Sequence, residues 1–113
     1  MKFRVDRDSL GEVKIPIDAY YGAFTARALK QYNVTGLKSH QHLIKAFVMI
    51  KRSAALANMK LKKLDSKKGN AIVKACDEIL DGSLMNQFVV DAINSGAGTA
   101  FNMNVNEVIA NRA

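Results

Sequence analysis

The longest periodic stretch of the chain, Ser39 to Lys62, does most to limit what it can fold into. Leu43, Phe47, Ile50, Ala54, Ala57 and Leu61 recur at i, i+4, i+7 and i+11, with Lys45, Arg52 and Lys60 off that stripe. This spacing predicts one amphipathic helix over residues 39–62 with Ser39 as its cap. The alanine-rich middle, Ser53-Ala54-Ala55-Leu56-Ala57, permits another helix to approach closely.

The rest of the chain arranges itself around this helix. Phe3 and Val5, then Val13, Ile15 and Ile17, alternate with polar residues on either side of a Ser9-Leu10-Gly11 turn. That pattern predicts a short β-hairpin, with Pro16 limiting its second strand to an edge. Asp18 is the expected cap of a first helix over 19–32, in which Tyr21, Phe24, Ala28 and Tyr32 share a face. Gly22 costs such a helix about 1 kcal/mol relative to alanine, which points to close packing or an irregular start. Asp65 or Ser66 caps a third helix over 66–81, with Ile72, Ala75, Cys76 and Ile79 on its apolar face and Gly82 as its stop. Residues 83–98 read as a loop, and a fourth helix starts near Gly98–Asn102 and runs to Ala113. The expected fold is mainly α: one domain over residues 1–113, with about four helices and an N-terminal hairpin. The fourth helix meets no stop signal, so the chain reads as part of a longer one.

Several functions are disfavoured by charge and composition. No apolar run approaches the roughly 20 residues that span a membrane, and the N-terminus has no secretory core. Cys76 is the only cysteine, so no disulfide framework exists and a cytoplasmic setting is expected. The net charge of +7 divides into +10 over residues 1–68 and −3 over residues 69–113. Its lysines are spaced along helix faces without interleaved aromatics, so a solvated surface is favoured over nucleic-acid binding. His40 and His42 stand at i, i+2, which do not share a helix face, so no metal site is expected. Cys76 reads as a buried structural thiol. Gly96-x-Gly98 lacks the third glycine of a dinucleotide fingerprint and the surrounding βαβ unit.

The densest chemistry lies in Asn94-Ser95-Gly96-Ala97-Gly98-Thr99-Ala100-Phe101-Asn102-Met103-Asn104-Val105-Asn106-Glu107. A glycine turn feeding a helix N-terminus presents free N–H groups and the positive end of the helix dipole, which suits an anion. Thr99 or Asn102 is the expected cap. Asn102, Asn104 and Asn106 are poor helix formers placed early in a helix. Each either caps or bridges buried backbone, or serves a polar ligand.

The same stretch, Gly96-Ala97-Gly98-Thr99-x-x-Asn102-Met103-Asn104-x-Asn106-Glu107-Val108-Ile109-Ala110-Asn111-Arg112-Ala113, resembles a sequence block of the fumarase/aspartase superfamily. Asp18-Ala19-Tyr20-Tyr21-Gly22-x-x-Thr25-x-Arg27-Ala28 is similar to that family's opening motif, and the resemblance covers essentially the whole chain. Ala97, Cys76-Asp77-Glu78 and Met85-x-Gln87-Phe88 are more similar to aspartate ammonia-lyases than to class II fumarate hydratases, whereas Phe24, Val89 and Ala100 depart from the usual pattern. The resemblance implies the N-terminal domain of a lyase that eliminates ammonia from L-aspartate to give fumarate, without metal or organic cofactor. The alternatives are the same domain of a fumarase and, in a different class, a non-catalytic helical binding module. It further implies a dicarboxylate substrate held by Thr99, with Gly98 and Ala100 as backbone neighbours, and by Asn102 and Arg27. The family's serine-bearing catalytic loop has no counterpart here, so the chain alone is expected to be inert. The full-length protein is expected to be a homotetramer, with no nucleic-acid or membrane partner.

Overall fold

A computed structural model describes residues 1–113. Strands β1 (Phe3–Asp8) and β2 (Gly11–Pro16) pair antiparallel, Phe3 opposite Pro16 and Asp8 opposite Gly11. The turn requires Gly11 at φ +113°, and the Asp8 carboxylate accepts the Leu10 N–H at 2.9 Å. Val13 and Ile15 face the core, while Phe3 and Val5 remain exposed. On β1, Arg4 donates to the carbonyls of Pro16, Ala19 and Tyr21 at 3.1, 2.6 and 2.9 Å.

Those bonds explain the first correction to the sequence reading. Helix α1 spans Ala23–Gln31, four residues later than expected, and Asp18 does not cap it. The stretch before it is held by tertiary hydrogen bonds instead. Besides the Arg4 contacts, the Tyr20 N–H donates to Gln87 Oε1 at 2.8 Å, and Asn111 Nδ2 donates to the Tyr20 carbonyl at 2.6 Å. Backbone groups committed to distant side chains are lost to a local helix. Gly22 is therefore the N-cap, with extended φ and ψ.

Helix α2 spans Gln41–Lys60 and α3 spans Ser66–Leu80. The α2 cap is His40, not Ser39: its Nδ1 accepts the His42 N–H at 3.1 Å. Asp65 caps α3 by accepting the Lys68 N–H at 3.2 Å, and Gly82 ends that segment at φ +98°. Between α3 and the last helix, a single 3-10 turn forms over Met85–Gln87. Helix α4 spans Thr99–Arg112.

The second correction concerns which face of α2 is buried. Apart from Phe47, the expected stripe faces outward: Leu43, Ile50 and Leu61 are 46%, 64% and 67% exposed. The core takes Ile44, Val48 and Ala55 instead, helped by Phe47, whose ring meets Phe101 edge-on at 4.8 Å. This helix is apolar on two adjacent faces, and the one toward α3 and α4 is buried. Ile15, Val48, Cys76, Ile79, Phe88, Val105 and Val108 form the centre of the core. Burial there raises the Cys76 thiol pKa, so the thiol is kept protonated.

Candidate functional site

The glycine turn delivers the chain into α4 through Gly98, which sits at φ +71° as N-cap. Neither Thr99 nor Asn102 caps the helix. Ser95 does so from the preceding loop, its hydroxyl oxygen accepting the Ala100 N–H at 3.2 Å. The Asn102 N–H bonds to the Gly98 carbonyl, while the N–H groups of Thr99 and Phe101 have no protein acceptor. Two free donors at a helix N-terminus make this end attractive to an anion.

In front of that first turn lies a cleft of about 600 Å³, bounded by the hairpin, α1 and α4. Thr99, Ala100 and Arg27 all line it, as do Ser95, Phe24 and Met103. Gly98 sits at the helix cap beside the cleft rather than on its lining. Asn102 lies on a different face of α4, where its Oδ1 accepts from Lys51 Nζ on α2 at 2.7 Å.

The charged groups of the cleft are largely spoken for. Arg27 forms a two-pronged pair with Asp8, at 2.8 and 2.9 Å, and also donates to the Gly11 carbonyl at 3.2 Å. The Arg27 hydrogen bonds lower the Asp8 pKa, and the same pairing raises that of Arg27. Arg27 thus joins the hairpin to α1 while keeping one edge in the cleft. Glu107 is committed to α1: its carboxylate accepts the N–H of Phe24 at 3.2 Å and of Thr25 at 2.8 Å, together with the Thr25 hydroxyl. It supplies from α4 the cap that Gly22 cannot. Asp6 makes no ion pair and remains the free carboxylate of the cleft.

The remaining asparagines divide by role. Asn104 is fully buried and structural. Its Oδ1 accepts from Val89 N at 2.9 Å and Val90 N at 3.4 Å, and its Nδ2 donates to the Gln87 carbonyl at 2.9 Å. Asn106 meets only the Met103 sulfur, at 3.5 Å. Sequence reasoning missed Ser95 and Glu107. Ser95 carried a signal, a hydroxyl residue just ahead of the glycine turn. Glu107 carried none, because its partners lie more than 80 residues away.

The same chain can be set beside known proteins. The protein family described as "Lyase" matches residues 11–113. An aspartate ammonia-lyase of Bacillus sp is 54% identical over 110 residues, 97% of this chain and 24% of that protein. A class II fumarate hydratase of Campylobacter jejuni is 50% identical over 113 residues, 100% of this chain and 24% of that one. The crystal structure of a class II fumarase from Schistosoma mansoni superposes with a TM-score of 0.95 at 42% identity, covering 98% of this chain and 24% of that chain. The chain thus spans about a quarter of the length of the relatives it matches.

Proposed function

The chain belongs to the lyase family, within the fumarase/aspartase superfamily, and on that premise we propose that it is the N-terminal domain of an enzyme that eliminates ammonia from L-aspartate to give fumarate. The observation that carries this reading is the cleft against the first turn of α4, where Thr99 and Ala100 stand beside N–H donors without a protein acceptor. A carboxylate there takes hydrogen bonds from backbone N–H groups and the Thr99 hydroxyl, and gains from the helix dipole. The same donors stabilise the charge that develops on a carboxylate when the neighbouring carbon loses a proton. Arg27 adds positive potential at the cleft edge, discounted by its pairing with Asp8. Gly98 sets the turn that exposes these donors. Asn102 acts one step removed, by holding Lys51 behind the same helical turn.

Asp6 favours aspartate over malate. An unpaired carboxylate in the cleft repels a dianion but attracts the ammonium group that only the amino acid carries. The base that removes the proton lies outside these residues, so this domain by itself binds without turning over. In this reading the complete enzyme is a cytoplasmic carbon–nitrogen lyase that works as a homotetramer without cofactor. A second reading, the same domain of a class II fumarase, is supported by the 50% identity to the Campylobacter jejuni fumarate hydratase.

Titration of the chain with fumarate, followed by backbone amide NMR, tests the site. Shifts should centre on Thr99, Ala100 and Phe101, and Thr99→Val should weaken binding about tenfold through the lost hydroxyl. Shifts elsewhere would overturn the site. Assay of the full-length enzyme with aspartate and malate separately decides the substrate: activity on malate alone would establish the fumarase reading.

A further inference from the structure

Lys51 occupies a place where a core residue belongs. It lies on the inward face of α2, between the buried residues Val48 and Ala55, while large apolar side chains of that helix face water. It is partly buried, takes part in none of the four ion pairs of the chain, and bonds through its ammonium only to Asn102 Oδ1, at 2.7 Å. An ammonium with one neutral acceptor and no counter-ion still has donors to offer a carboxylate. Beside it, α2, α3 and α4 leave a pocket of about 270 Å³. Ala55, Ile72 and Ile109 give it an apolar lining, and the amides of Asn58 and Asn106 share it with Lys51. The Asn106 amide, meeting only a sulfur, is available to a ligand.

The geometry points to this pocket as a binding site for a small monocarboxylate with a short apolar chain. Its carboxylate pairs with the Lys51 ammonium and accepts from the Asn58 and Asn106 amides, while the chain covers Ala55, Ile72 and Ile109. The site is separate from the cleft: it uses the Asn106 and Ile109 side of α4, whereas the cleft uses Thr99, Met103 and Glu107.

Titration of the chain with hexanoate, with hexanol and hexylamine as controls, tests the site by NMR of side-chain amides and isoleucine methyls. Saturable shifts at Asn58, Asn106, Ile72 and Ile109 are expected, with a Kd of about 1 mM. Lys51→Met should weaken binding about tenfold or more, and Lys51→Arg should retain it. Ala110→Leu, an exposed position lining the same pocket, should block entry without touching the cation. Non-saturating shifts, equal binding of hexanol, or unchanged affinity in a folded Lys51→Met would overturn the site. Should Lys51→Met fail to fold, unchanged affinity in Ala110→Leu overturns it equally.

Discussion

Asn104 shows how one side chain can hold a segment that has no regular structure of its own. Its amide makes three hydrogen bonds to the backbone of residues 87–90, two of them fully buried. Asn104→Leu keeps the approximate volume but strands the Val89 N–H and the Gln87 carbonyl. At about 1–3 kcal/mol for each stranded group, the variant should lose about 2–6 kcal/mol in urea unfolding. A loss below about 1 kcal/mol would mean that water replaces the amide. The sequence shows three asparagines at alternate positions and allows each a structural or a ligand role. It cannot sort them, because the sorting depends on what each faces: Asn104 faces backbone, Asn102 faces Lys51, and Asn106 faces a pocket.

The helices were legible as elements, and α3 and α4 at their starts as well; the start of α1 was not, for a physical reason. Its cap is the Glu107 carboxylate of α4, and a Cβ on Gly22 would collide with that carboxylate. The glycine that appears costly within a helix is the space that the cap needs. Glu107→Ala should cost about 1–2 kcal/mol, as loss of a helix cap does. Gly22→Ala should cost a similar amount in the presence of Glu107, through displacement of the cap. The two losses should not add. With the carboxylate gone, the alanine meets no obstacle, and the double variant should be little worse than Glu107→Ala alone. Strict additivity in thermal or urea unfolding would disconnect Gly22 from the cap. The α2 stripe failed for a related reason. Period 3.6 fixes the helix, but the choice between two neighbouring apolar faces is made by α3 and α4. In the cleft, the turn and Thr99 were legible because their chemistry is contiguous in sequence. Ser95 carried a local signal that went unread, whereas Glu107 and Asp6 were not legible, because the fold alone brings them to the cleft.

Across the whole molecule, carboxylates bridge distant segments, Asp8 and Asp91 as well as Glu107. Asp8 joins the hairpin to α1 through Arg27. Asp91 gathers residues 34–36 against the loop that leads to α4. It accepts the N–H groups of Val34, Thr35 and Gly36 at 3.1, 2.8 and 2.9 Å, the Thr35 hydroxyl at 2.8 Å and the Ile93 N–H at 2.9 Å. The Ile93 N–H, the Thr35 hydroxyl and the other N–H groups together hold its pKa well below the ordinary carboxylate range. The consequence for stability follows from the sign of that shift. In the acid range the unfolded chain takes up the proton first, so protonation favours unfolding and stability rises with pH. The contribution of Asp91 is therefore complete above the ordinary carboxylate value of about 4, and it is lost progressively as pH falls below that. Asp91→Asn removes the charge at every pH. At neutral pH the variant should be clearly less stable than the parent in urea unfolding. As pH is lowered toward about 3, the gap between the two midpoints should narrow, because the unfolded parent then takes up a proton that its folded form still resists. Asp8 titrates in both proteins and cancels from the comparison. A gap between the midpoints that stays constant with pH would show that Asp91 acts through shape alone, and that its charge does not help to hold the loop beside the cleft.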